Sequence, residues 1–173
     1  MSEVAKYFVV ESLRNGRRIE IRALRPDDQA GLLAAISRTS TQSLFRRFFA
    51  AKRGFSEKEV AFFINIDFIS HVALIALVED EGGPVIVGGA RYIVGQLGQA
   101  EVAFAVVDNY QGQGIGTSLM RHLSTTARNS GIRELIAEVL PDNIPMLKVF
   151  EKSGFRLTRR RMPDVIHLVL SLS

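Results

Sequence analysis

Gln111-Gly112-Gln113-Gly114-Ile115-Gly116 lies at the centre of residues 101–155, between a strand-like segment and a helix-like one. Upstream, Gln99–Asp108 reads as a strand. Downstream, Thr117–Ser130 reads as a helix with Leu119, Leu123 and Ala127 on one side, and Gly131 ends it. A second strand, Ile132–Leu140, and a short helix, Asn143–Ser153, complete the segment. Glycines let consecutive amides face one point, and the helix N-terminus behind them adds partial positive charge, so the turn is suited to a phosphate. A single turn of this kind serves equally well as an ordinary strand end.

Two phosphate motifs fail against it. A P-loop needs Gly-Lys-Ser/Thr, and Gly116 is followed by Thr117-Ser118 with no lysine. The dinucleotide fingerprint needs a third glycine where Thr117 stands. What the turn does resemble is the acetyl-CoA signature Gln/Arg-x-x-Gly-x-Gly/Ala of the GNAT acetyltransferases. The similarity continues through Leu140-Pro141-Asp142-Asn143 and Glu151-Lys152-Ser153-Gly154-Phe155, and it covers roughly residues 17–172. It implies an α/β (α+β) fold: a mixed central sheet, helices on both faces, and strands splayed at the CoA site.

The resemblance also assigns roles. Gln111, Gly112, Gln113, Gly114, Ile115, Gly116 and Thr117 are expected at the pyrophosphate, and Asn143 on the cofactor arm. The arm should run back along Gln99–Asp108, past Val106, Ala105 and Phe104. An arm of roughly 15–20 Å spans about five or six strand residues, which places the sulfur near Val102–Phe104. Glu101 stands beside that point and matches the glutamate base of the protein-lysine acetyltransferases. Glu138, on the next strand, is the rival, because other family members carry their base there. Asn143 also reads as a helix N-cap after Pro141-Asp142. Phe150 departs from the family pattern: many members have a tyrosine four residues before the glycine, acting as an acid toward the leaving thiolate. Phenylalanine has no proton to donate.

The length of 173 residues suits one domain, 17–173, preceded by an N-terminal extension or extra strand over 1–16, and 47% hydrophobic with 23% charged residues suits a globular protein. Absence of cysteine excludes disulfides and a thiol nucleophile. His71, His122 and His167 are scattered and suggest no metal cluster. There is no signal-peptide pattern, and the most apolar region, Val60–Val78, is interrupted by Asn65, Asp67, Ser70 and His71. A cytoplasmic protein without membrane or nucleic-acid partners is the expectation; the net charge of +4 suits a polyanionic cofactor.

Outside the central segment, an extra strand is expected around Tyr7–Val10, a strand over Arg17–Leu24, and a helix opened by Pro26-Asp27-Asp28 and running through Ser37. Helices are also expected over Thr41–Ala51 and from a capping box at Ser56/Glu59 to about Ile66. Strands follow at His71–Val78 and Val85–Val94, joined through Glu79–Pro84. A hairpin of Phe155–Met162 and Val165–Leu172 ends the chain.

Ser43-x-x-x-Arg47-Phe48-Phe49, Ile66-Asp67 and Val72-Ala73-Leu74 resemble the acetyltransferase domain of bacterial protein-lysine acetyltransferases. Those enzymes modify acetyl-CoA synthetase and similar ligases, and their domain is often fused to a ligase-like or nucleotide-sensing one; no fused domain is read here. The implied reaction is acetyl transfer from acetyl-CoA, without a metal, to an amine. The implied acceptor is a protein lysine, such as one on an acyl-CoA synthetase, delivered across Arg38–Phe49. Acetylation of a small amine, and a non-catalytic acetyl-CoA-binding regulator, are the alternatives.

Overall fold

Strands β1 (Phe8–Ser12), β2 (Arg18–Ala23), β3 (His71–Asp80), β4 (Gly83–Val94), β5 (Gln99–Val106), β6 (Glu134–Val139), β7 (Arg156–Arg161) and β8 (Ile166–Ser171) make one sheet ordered β1-β2-β3-β4-β5-β6-β8-β7. This computed structural model describes residues 3–38, 56–96 and 98–173. Its helices are α1 (Gln29–Ser37), α2 (Glu57–Ile64), α3 (Ile115–Asn129) and α4 (Ile144–Glu151). The expected helix Thr41–Ala51 and the string Ser43–Phe49 lie outside the described residues.

From β1 to β5 every pairing is antiparallel. β3 is buried along His71–Val78 because it is covered on both faces, which is why it reads as a continuous apolar run rather than an alternating one. Its strand and β4 extend to Asp80 and Gly83, leaving only Glu81-Gly82 as the connection, where a longer turn was expected from composition. Gly83, at φ 112°, supplies the left-handed backbone that so tight a hairpin needs.

A bulge in β4 lets helices cover both faces. Ala76 pairs with Gly88 and Leu77 with Ile86, so Val87 is the extra residue. Ile86 lies against Gly31 of α1, whereas Gly88 lies against Ile115 and Leu119 of α3. A Cβ at Gly88 would come within 3.2 Å of Leu119, so the missing side chain is what admits α3 so closely. Leu119, Leu123 and Ala127 are fully buried there.

Several boundaries differ from expectation for local reasons. The extra strand is Phe8–Ser12, further along than Tyr7–Val10, and it pairs with β2. Pro26-Asp27-Asp28 form a 3₁₀ turn before α1 begins. Buried Asp28 accepts a bidentate Arg22 pair at 2.8 Å and the Arg25 amide at 2.6 Å. Burial alone would raise the Asp28 carboxyl, but these donors hold it below its ordinary value. The Ser56/Glu59 capping box is formed, at 3.2 and 3.0 Å, yet α2 stops at Ile64 rather than Ile66. α3 starts at Ile115, two residues before Thr117, because Gly114 at φ 93° caps it and its carbonyl accepts from the Ser118 amide at 3.0 Å.

Among the described residues the single parallel junction is short. β5 pairs with β6 only at Gln99–Glu101 with Glu134–Ile136. Beyond Glu101 the two strands part, while β6 continues against β8 through Val139. These are the splayed strands that the family resemblance implies.

Candidate active site

The gap between β5 and β6 holds a cavity of about 290 Å³, and the glycine turn borders a larger one of about 620 Å³. Phe104, Asn143 and Met146 line both, so the two cavities adjoin along β5 and the start of α4. A phosphate on the turn and a chain reaching between the strands would occupy them in succession.

Every residue expected at the pyrophosphate, from Gln111 to Thr117, lines the larger cavity. Gly112 and Gly114 have φ of 79° and 93°, conformations that L side chains rarely adopt, with open space where a Cβ would stand. The Gln111 side chain donates to the Val106 carbonyl at 2.9 Å, tying the turn to the end of β5. Ile115 is 1% exposed, its side chain packed beside Gly88. Phe104, Ala105 and Val106 form the β5 wall.

Asn143 fulfils its capping role, with Oδ1 accepting from the Met146 amide at 3.3 Å. It is 6% exposed and lines both cavities, which leaves its Nδ2 hydrogens for a ligand. Phe150, 1% exposed, lines the smaller cavity and packs against Phe104.

Glu101 is exposed, at the last β5 position that pairs with β6. Glu138 stands two residues beyond its partner Ile136, so the two carboxylates share one face of the sheet, and both line the smaller cavity. His71 belongs to the same row, paired through Ile93 to Glu101. Its ring is pushed down to about 4 by burial and by Arg91, whose Nη1 lies 3.0 Å from Nε2. A neutral ring accepting from Arg91 satisfies both.

Some lining residues carry no sequence signal. His167, opposite Glu138 on β8, lines the smaller cavity. The β1–β2 hairpin, Glu11 to Asn15, lines the larger one. It is docked by Glu11, which accepts from Ser118 and from Arg121 at 2.8 Å and lies 3.1 Å from His122 Nε2, while Tyr7 bonds His122 Nδ1. Lys148 and Lys152 are the exception, since the i, i+4 spacing of a helical residue and its helix's C-cap brings them to one side.

These residues fit acetyl-CoA. The larger cavity offers a glycine cradle at a helix N-terminus, and Arg14, Arg121, Lys148 and Lys152 outweigh the one lining acid, Glu11. Among the described residues no three His, Cys, Asp or Glu gather as a metal site, and no helix is long and apolar enough to cross a membrane.

The comparisons agree with this geometry. The model of the acetyltransferase (GNAT) family matches residues 39–155. The chain is 36% identical to acetyltransferase PA5475 of Pseudomonas aeruginosa, over 91% of this chain and 87% of that protein. It is 32% identical to acetyltransferase Pat of Mycolicibacterium smegmatis over 82% of this chain but 42% of that protein, so it spans less than half of Pat. Among solved structures, the GNAT domain of S. lividans PAT superposes with a TM-score of 0.85 at 34% identity, covering 95% and 96% of the two chains. The yncA acetyltransferase of Salmonella typhimurium, solved with acetyl-CoA, shares the fold with a TM-score of 0.71 at 18% identity, covering 90% and 94% of the two chains. The chain belongs to the GNAT family and is an acetyl-CoA-dependent N-acetyltransferase.

Proposed function

We propose that the chain acetylates the ε-amine of a protein lysine, with Glu101 as general base. The observation that carries this reading is the position of Glu101, exposed where β6 leaves β5 and facing a cavity that adjoins the cofactor turn. The likeness to Pat and to the S. lividans PAT domain supports a protein acceptor.

A lysine amine is mostly protonated at neutral pH, with a reference pKa of about 10.4, so a proton must leave before attack. Glu101 takes it, directly or through one water. The amine nitrogen bonds to the thioester carbonyl carbon, its second, surplus proton passes to solvent, the carbon–sulfur bond breaks, and CoA departs as thiolate. A thiol near the reference value of about 8.5 leaves with little help, consistent with Phe150 in place of a side-chain acid. With no cysteine in the sequence, transfer is direct rather than through a cysteinyl acyl-enzyme. The Gln111–Thr117 turn holds the pyrophosphate, Asn143 bonds the arm, and Phe104 and Phe150 keep the thioester end dry.

Incubation with acetyl-CoA and native lysate, followed by mass spectrometry of lysines, tests the acceptor. New acetyl-lysine on an acyl-CoA synthetase is the expected result. Thioester consumption only with small amines would replace the protein acceptor, and binding without turnover would point to a regulator.

A further inference from the structure

The β1–β2 hairpin lies outside the family-model match at 39–155, yet it forms one wall of the larger cavity. It is fastened beside the phosphate turn. Asn15 Nδ2 donates to Gln113 Oε1 at 3.3 Å, and Glu11 accepts from Ser118 and Arg121 on the first turns of α3. The same cavity is lined by Lys148 of α4 and by Lys152 at its C-cap.

The two adjoining cavities give the larger one a direction. Phe104, Asn143 and Met146 mark the end that opens into the β5–β6 gap, where the arm goes. No hairpin residue lines the smaller cavity, and Asn15 reaches the phosphate turn, so the hairpin borders the larger cavity where the nucleotide of a cofactor held by that turn would lie. That part of the cofactor carries a 3′-phosphate besides the pyrophosphate. Arg121 is neutralised by Glu11, whose two oxygens both lie 2.8 Å from its Nη2. Arg14, exposed at the hairpin tip, makes no ion pair among the described residues.

We propose that Arg14 binds the 3′-phosphate of the cofactor, so that the hairpin selects CoA thioesters over their 3′-dephospho counterparts. This rests on the acetyl-CoA reading of the same site. A guanidinium suits the role because its fork of donors matches phosphate oxygens. The Glu11 contacts position the hairpin, and Asn15 ties its tip to the turn that holds the neighbouring phosphates.

The test is calorimetric affinity of the full chain for CoA and for 3′-dephospho-CoA. Wild type should prefer CoA by about tenfold, the size of one charge-assisted contact. Arg14→Ala should bring the two affinities within about twofold by weakening CoA alone, since an uncharged tip has nothing left to sense the extra phosphate. Arg14→Lys, which keeps the charge, should retain part of the preference, and Lys152→Ala should leave the ratio unaltered. The proposal is overturned if Arg14→Ala leaves the preference intact, or if Lys152→Ala abolishes it instead. Wild-type protein that binds neither nucleotide overturns the site reading and this proposal with it; an intact CoA affinity with no preference overturns this proposal alone.

Discussion

The Phe104 and Phe150 rings pack with centroids 5.8 Å apart and planes tilted by 39°, joining β5 to α4 where β6 has parted from β5. Together they hold the helix against a strand with one open edge. Phe150→Ala should therefore destabilise the protein by about 3–5 kcal/mol, the cost of emptying a buried aromatic site. It should also weaken acetyl-CoA binding. Because the ring has no ionisable proton, the basic limb of the kcat–pH profile should be preserved. Loss of a basic-limb pKa at unchanged cofactor affinity would contradict this.

Gly114 is needed for its backbone, not for space around it. At φ 93° it caps α3, and a Cβ there would meet nothing within 4 Å. Gly114→Val forces an L side chain into the left-handed region, at about 1–2 kcal/mol, and turns the amides that follow. Circular dichroism should report a folded protein while calorimetry reports loss of acetyl-CoA binding. Wild-type affinity in the folded variant would exclude the turn as the phosphate site.

His71 makes stability depend on pH in a defined window. Burial and Arg91 lower its ring from 6.5 to about 4. A depressed folded pKa means that the unfolded chain binds the proton first. The stability from this residue is complete above about 6.5 and is lost as pH falls toward 4, by on the order of 3 kcal/mol at most. His71→Gln keeps an acceptor for Arg91 and should remove this step from urea midpoints measured between pH 7 and 4. The loss from Asp28, whose carboxyl is held below its unfolded value, should persist at lower pH. A step that survives the substitution would assign it to another group.

Much of this was legible because each residue's chemistry is local. Gly114 and Gly116 announce the turn, Ser56 and Glu59 their helix, and Gly131 the end of another. The splay after Glu101 was expected only through the family resemblance, since nothing in Val102–Val106 encodes the departure of a strand 30 residues away. The hairpin at Glu11–Asn15 and His167 carry no signal because long-range contacts bring them to the cavities, the hairpin through Ser118, Arg121 and Gln113 and His167 through its pairing with Glu138, and no spacing within their own segments reports that. The choice between Glu101 and Glu138 was left open by sequence for a related reason. Register places both on one face beside one cavity.

The most direct measurement compares kcat for Glu101→Gln and Glu138→Gln with a saturating lysine acceptor. Glutamine keeps the shape and removes the basicity, and a general base contributes about 10²–10⁴-fold. Glu101→Gln should lower kcat by that order with acetyl-CoA affinity nearly unchanged, while Glu138→Gln costs much less. The reverse ranking, or full turnover in Glu101→Gln, would contradict the assignment of Glu101 as the base.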